Sequence, residues 1–257
     1  ITNNNNYYCT IFIGAYKSFI TSKIFFCLFY YMDTLVNLVS CFSAANILSS
    51  VNRERCMKNF TSFPSLVTAT TDMRAAVLVP LCIANGEMSL LFTLRSKDLN
   101  SHAGHVSFPG GKFDLEDKDL VTTALRETEE ELAIPRDSVE IWGQGSSVPS
   151  KDFKMAVTPV IGYIQNFDSL KLQNNPAEVE EAFTVTLERL CDPRYFSVIS
   201  FKNGWKLPQF NGGPHKIWGL TSIVTHMFLT SLLSEEAYPM KLNLHFLRPG
   251  ISIFYNL

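Results

Sequence analysis

From Met73 onward the apolar positions take on regular spacings. Two apolar runs, RAAVLVPLCI (Arg74–Ile83) and MSLLFTLR (Met88–Arg95), are rich in strand formers and flank Asn85-Gly86. That dipeptide between two such runs predicts a β-hairpin. A loop over Ser96–His105 and a short strand at Val106–Phe108 follow, before Gly110-Gly111. The period then changes. Over Asp119–Ala133, Ala124, Leu125, Thr128 and Leu132 stand at i, i+1, i+4 and i+8, which predicts one buried helix face, and Pro135 ends the helix. Further strands are expected at Val139–Gly143, Met155–Ile164 and Glu181–Val185, and a short helical stretch at Leu187–Cys191. Lys216–Leu220 reads as a strand feeding a long buried helix over Thr221–Leu233. Strands and helices interleave without a regular βαβ rhythm and without an internal repeat. The expected class is α/β in the α+β sense, a mixed sheet between helices.

The ends of the chain do not share this pattern. The first residue is Ile1, and the uninterrupted apolar run Ile24–Met32 has nine residues, against the roughly 20 that span a bilayer. A stable membrane insertion is therefore not expected. Residues 1–31 read as preceding a natural start at Met32. Residues 32–60 are amphipathic and Ser-rich, with Arg53, Arg55 and Lys58 near their end, loosely like an organelle transit peptide, although Asp33 and Glu54 oppose that match. The expected organisation is a non-globular segment over 1–65, a domain over 66–235, and a tail over 236–257 with no clear partner.

Composition narrows the function classes. Apolar residues make up 46% of 257, enough for a sizeable core. A formal charge of −2 offers no basic field for nucleic acid, so DNA is not an expected partner. The six cysteines show no CxxC pair and no metal-like spacing, which favours reduced thiols.

The chemistry concentrates after the glycines. Arg126 is followed by Glu127, Glu129, Glu130 and Glu131. On a helix Glu127, Glu130 and Glu131 stand at i, i+3 and i+4 and share a face, while Glu129 points elsewhere. Three convergent carboxylates suit Mg²⁺ or Mn²⁺, and Gly110-Gly111 lets bare backbone approach a metal or phosphates. The plain alternative is a solvated acidic helix face, the usual state of a charge run.

The flanking residues decide between these. Gly111, five residues, Asp117, eight residues, then RETEEELAI (Arg126–Ile134) resembles the signature of the Nudix hydrolases. It departs from that signature in Asp117 for Glu, in one extra residue before Arg126, in Thr128 at a hydrophobic position and in Ala133 for a terminal Gly. These departures resemble the coenzyme A diphosphatase-like subfamily. So does the upstream block LLFTLRSKDLNSHAGHVSFPGG, through Leu91, Arg95, Ser96, Gly104 and Phe108–Gly111, with Asn100 where a basic residue is common. Downstream, VTPVIGYI and GPHKIWGLTSIVTHMFLTSLL are most similar to a mitochondrial branch of that subfamily. The resemblance covers roughly Arg74 to Leu233.

The resemblance implies a Nudix fold, a Mg²⁺ or Mn²⁺ cofactor, and hydrolysis of coenzyme A or acyl-CoA to 3′,5′-ADP and a 4′-phosphopantetheine product. Alternatives are another nucleoside diphosphate derivative, such as NADH or an NAD-capped RNA end, and a non-catalytic ligand-sensing domain. It implies Glu127 and Glu131 as principal metal ligands and Glu130 as a further ligand or a water-holding group. Glu178 and Glu130 compete as general base. Arg126 is expected to clamp the loop through Asp117 or Glu116, and Arg95, Gly110 and Gly111 to meet substrate. His102, His105, His215 and Trp218 are read as structural. A homodimer is left open, and residence is expected in the mitochondrion.

Overall fold

The computed structural model describes residues 41–65, 67, 73–99, 102–150, 154–201 and 206–242. The expectations for residues 1–40, for Asn100 and for the tail beyond residue 242 lie outside these described residues. The chain divides into two units, Ile1–Cys41 and Phe42–Leu257, and the sheet with its covering helices belongs to the second.

The predicted hairpin forms from β1 (Met73–Ala84) and β2 (Glu87–Arg95), with Asn85 and Gly86 both left-handed at φ 52° and 81°. Its two strands stay paired only from Leu81↔Leu90 to Ala84↔Glu87. Beyond that they part, and the chain returns to fill the opening. β3 (Val106–Ser107) pairs with β2, and β4 (Gly110–Lys112) pairs with β1. Pro80 sits where the strands separate. Its nitrogen faces the same edge as that of Leu78, whose N–H finds the carbonyl of Pro109 at 2.8 Å. Among the described residues no strand pairs with Pro80 along that edge, so a missing donor is tolerated there.

The rest of the sheet grows outward from this pair. β5 is Val139–Gln144, β6 Val148–Pro149, β7 Met155–Ile164 and β8 Val179–Thr186. β7 runs parallel to β1 from Met73↔Met155 to Cys82↔Ile164, with β5 and β6 on its far edge, and β8 closes the other side against β2. The near-continuous apolar runs of β1 and β7 follow from their central, doubly covered position.

One face is covered by α3 (Leu120–Leu132), whose Ala124 and Leu132 join Ala76, Leu78, Leu91 and Val160 in the core. α1 is Ala44–Ile47 and α2 Ser50–Ser62. α3 starts on Asp119, whose Oδ1 accepts from the Thr122 N–H at 2.8 Å, and ends on Ala133 at φ 55°. A left-handed alanine carries strain that glycine does not. Ala133→Gly should therefore raise stability by about 0.5–1 kcal/mol in chemical denaturation, with turnover unchanged.

The element predictions agree with the structure at most positions. After α4 (Leu187–Cys191) comes a hairpin absent from the expected elements, β9 (Phe196–Ser200) with β10 (Lys206–Phe210). The expected strand over Lys216–Leu220 reduces to one bridge, Phe210↔Ile217, because α5 (Gly219–Leu232) already begins at Gly219.

The folded unit also reaches beyond both expected boundaries. α2 packs on α5 and β5 with Cys56 and Phe60 fully buried. Arg55 donates to the Leu232 carbonyl at 2.7 Å, and Arg53 pairs with Glu140 and donates to the Ile141 carbonyl. Its buried residues, Asn52, Cys56 and Phe60, form so thin a stripe in a basic, Ser/Asn-rich segment that it reads as presequence. At the other end, Tyr238 is 4% exposed, and its hydroxyl lies 2.6 Å from Nδ1 of His226.

Burial holds the His226 imidazole neutral, its pKa pushed from 6.5 down to about 4. Between those values the unfolded chain binds a proton that the folded chain does not. Stability should therefore fall as pH drops from 6.5 toward 4, by up to about 1.4 kcal/mol per unit. Urea unfolding across that window should show the slope, and His226→Gln should flatten it.

Candidate active site

The opening between β1 and β2 is where the two glycines become necessary. Gly110 holds φ 148°, and a Cβ there would stand 2.3 Å from the Ala76 carbonyl oxygen. A Cβ on Gly111 would stand 2.3 Å from Cδ of Glu127. The two glycines guard different things, since backbone cannot yield whereas a carboxylate can swing aside. Gly110→Ala should lower the melting temperature by several degrees. Gly111→Ala should keep the fold and lose about 100-fold in turnover, because Glu127 is displaced. Paired thermal melts and kinetics check both.

Across the loop, α3 presents its carboxylates unequally. Glu131 is 2% exposed, and Gly110 N–H donates to its Oε2 at 3.3 Å. Burial pushes its pKa up to about 8 against the opposing pull of Arg95. Glu127 is half-buried and raised for the same reason, opposed by Arg126. The third member is Glu178. Donor oxygens of Glu127, Glu131 and Glu178 all lie within 4.8 Å of one another.

Glu178 arrives from the residue just before β8, and the route is specific. Gln173 and Asn175 donate backbone N–H groups to the carbonyls of Leu132 and Glu131 at 3.1 and 2.8 Å, pinning the segment to the end of α3. Asn175 Nδ2 lies 3.5 Å from Glu178 Oε1. The Ser96 N–H holds the Glu178 carbonyl at 2.8 Å, beside a bulge that skips from Leu94↔Glu181 to Arg95↔Val179. Asn175 was not singled out from the sequence. Its signal is weak, an Asn-Pro step two residues before an acid.

Glu130 stands outside this group. Its side chain is 52% exposed and accepts from Arg126 Nη1 at 3.0 Å. Helix geometry explains the separation. Residue 131 lies about 40° around the helix from 127, and 130 lies about 60° the other way. The loop and β8 approach from the 131 side.

Arg126 closes the loop. Nε and Nη2 donate to Oδ1 and Oδ2 of Asp117, both at 3.0 Å, and Nη2 also donates to the Lys112 carbonyl at 3.1 Å. Nη1 lies 3.1 Å from Glu127 Oε1. Asp117 further accepts from Asp114 N–H at 3.0 Å and Thr123 Oγ1 at 2.8 Å. The guanidinium holds its carboxyl far below the usual range. Glu116, the alternative partner, is not among the acids that pair with Arg126, which are Asp117, Glu127 and Glu130 among the described residues. Arg126 therefore fastens the loop to the same helix face that carries Glu127. Thr128, at the usual hydrophobic position, is fully buried and bonds the Ala124 carbonyl at 2.7 Å, so its hydroxyl is satisfied within the helix.

A NUDIX domain profile matches residues 72–201. Over 195 residues the chain is 38% identical to the mitochondrial coenzyme A diphosphatase NUDT8 of Mus musculus, covering 72% of this chain and 90% of that protein. The chain belongs to the Nudix hydrolase family. The Homo sapiens NUDT8 is 41% identical over 187 residues, 69% of this chain and 78% of that one. Nudix hydrolase 3 of Caenorhabditis elegans is 34% identical over 211 residues, 72% and 86% respectively.

The carboxylates of this Nudix hydrolase fit a hard divalent cation. Three carboxylates this close would repel one another if all were ionised, and one of the three side chains is almost wholly withdrawn from water. Around them stand the other site residues read from the sequence. Arg95 lies near enough to Glu131 to act on its charge, and Gly110 and Gly111 line the loop. Among the described residues no helix is long and apolar enough to cross a membrane.

Proposed function

We propose that this Nudix hydrolase cleaves the diphosphate of coenzyme A or acyl-CoA, releasing 3′,5′-ADP and 4′-phosphopantetheine or its acyl form. The reading includes Mg²⁺ or Mn²⁺ as cofactor and residence in the mitochondrion. One observation carries it: Glu127, Glu131 and Glu178 gather beside a glycine loop whose backbone stays bare. The choice of substrate is supported by the mouse and human relatives, and by the Leu90–Gly111 block that includes Arg95.

Glu127, Glu131 and Glu178 would hold the cation, which when bound neutralises diphosphate charge and makes a water more acidic. The chain's own groups do the rest. Gly110 and Gly111 admit the diphosphate close to the backbone, and Arg95 contributes positive charge at the end of β2. Arg126 keeps Glu127 and the loop in register. A water oxygen bonds to one phosphorus, the bridging P–O bond breaks, and the departing phosphate keeps that bond's electron pair. The water's proton passes to a carboxylate. Glu178 within the group and Glu130, which shares Arg126 Nη1 with Glu127, are the two candidates for this. The base is the one whose Gln variant removes the acidic limb of the pH profile of kcat/KM.

The test is a panel of coenzyme A, an acyl-CoA, NADH and ADP-ribose, given to the purified full chain with Mg²⁺ or Mn²⁺ and read by product identity. Coenzyme A should yield 3′,5′-ADP with the highest kcat/KM of the unacylated substrates. Folded, metal-saturated protein that leaves coenzyme A intact would overturn the reading. A higher kcat/KM on NADH would move the substrate to another nucleoside diphosphate. Organelle fractionation tests residence.

A further inference from the structure

The loop entering β3 and the segment before α5 set four side chains in a row. The His105 ring lies 5.4 Å from that of His102 and 4.9 Å from that of Trp218, and Lys216 Nζ stands 5.7 Å from the Trp218 ring. His102 and Lys216 are exposed, and His105 and Trp218 are half-buried. The sequence assigns Trp218 to the core, yet the core takes its neighbour Ile217, which is fully buried. The indole is left among an imidazole and an ammonium, the kind of surroundings that bind planar, anionic molecules.

The row is fastened to the carboxylate group. Arg95 N–H donates to the His105 carbonyl at 3.0 Å, and Gly104 N–H returns to the Arg95 carbonyl at 3.1 Å. The next residue, Ser96, holds the Glu178 carbonyl. Thr221 Oγ1 donates to the Val106 carbonyl at 2.9 Å, tying the start of α5 to β3. His215 Nε2 lies 2.7 Å from Glu181 Oε2, fixing the segment before Trp218 three residues past Glu178. His105 precedes Gly110 by five residues, at most ~18 Å of extended chain, which is the scale of a nucleoside diphosphate.

We propose that Trp218, His105 and Lys216 form the subsite for the nucleotide end of the substrate. The base stacks on the Trp218 indole beside His105, and the Lys216 ammonium meets a phosphate on the ribose. This rests on the substrate reading above and adds residues to it. Aromatic stacking tolerates any base, so Trp218 sets affinity, and Lys216 distinguishes a ribose that carries a phosphate from one that does not.

Full-chain Trp218→Ala, Trp218→Phe and Lys216→Ala, each checked by circular dichroism and by calorimetric Mn²⁺ binding, are to be compared on coenzyme A and 3′-dephospho-coenzyme A. Trp218→Ala should raise KM about tenfold on both, with kcat within about twofold, and Trp218→Phe should restore most of it. Lys216→Ala should raise KM on coenzyme A alone. An unchanged KM in Trp218→Ala, or a kcat loss at constant KM, would overturn the subsite, as would an equal effect of Lys216→Ala on both substrates. Lys216 is exposed, so its variant decides the matter if Trp218→Ala does not fold. If wild type cleaves neither compound, the substrate reading fails by itself. Calorimetric binding of 3′,5′-ADP, retained by wild type and weakened in Lys216→Ala, would then still uphold the subsite, and its absence in wild type would overturn it.

Discussion

Glu131→Gln is expected to lower kcat/KM by roughly 10²–10³-fold while leaving the fold in place. Glutamine matches the carboxyl in shape and can still accept the Gly110 N–H that now reaches Oε2 at 3.3 Å. What it lacks is the negative charge. At 2% exposure that charge is costly unless a cation lies beside it, as the upward shift of its pKa to about 8 indicates. The variant should therefore melt no lower than wild type without metal. Added Mn²⁺ should stabilise wild type strongly and the variant weakly, by the linkage between binding and folding. Thermal melts with and without Mn²⁺, alongside steady-state kinetics, test both parts. Undiminished activity would remove Glu131 from the ligand set.

Arg126→Ala should cost both activity and stability. The guanidinium spans Asp117, the Lys112 carbonyl, Glu127 and Glu130. Asp117 has a side chain 3% exposed, and losing its partner would leave a buried charge with only the Asp114 N–H and the Thr123 hydroxyl. The expected destabilisation is about 2 kcal/mol, read by urea unfolding. Turnover should fall about 100-fold, because Glu127 and the loop lose their register. Arg126→Lys should recover little, since an ammonium cannot make the two parallel bonds to Asp117. A variant with normal turnover and normal metal affinity would remove Arg126 from the site.

The hairpin, α3 and β7 were legible because each obeys a local rule. Asn85-Gly86 admits the left-handed turn, Asp119 caps its own helix, and β7 is apolar enough to be central. The β9–β10 hairpin was missed although Asn203-Gly204 stands between its strands in the sequence, since both flanking runs are only five residues long and the second carries Pro208. α2 reads as part of a leader because its segment is Ser-rich and basic, and three buried residues in thirteen give only a faint periodicity. Its place depends on α5 and β5, not on its own pattern.

The acidic cluster divides in the same way. Its location, its metal-like chemistry and its tie to Arg126 could be read from Gly111 to Ile134, because one helix and one loop carry them. Membership could not. Helical spacing allows Glu127 to pair with either Glu130 or Glu131, and a helix by itself has no reason to prefer one. The preference comes from outside it. Gly110 approaches on the Glu131 side, the 173–178 segment hydrogen-bonds to the carbonyls at the end of α3, and a bulge at Arg95 brings Glu178 in from β8. By itself the sequence determined the fold class and the kind of chemistry, since local periodicity and a contiguous motif are properties of neighbouring residues. Which carboxylates converge was decided by tertiary structure, because it depends on contacts between segments about fifty residues apart, and no spacing within either segment encodes those contacts.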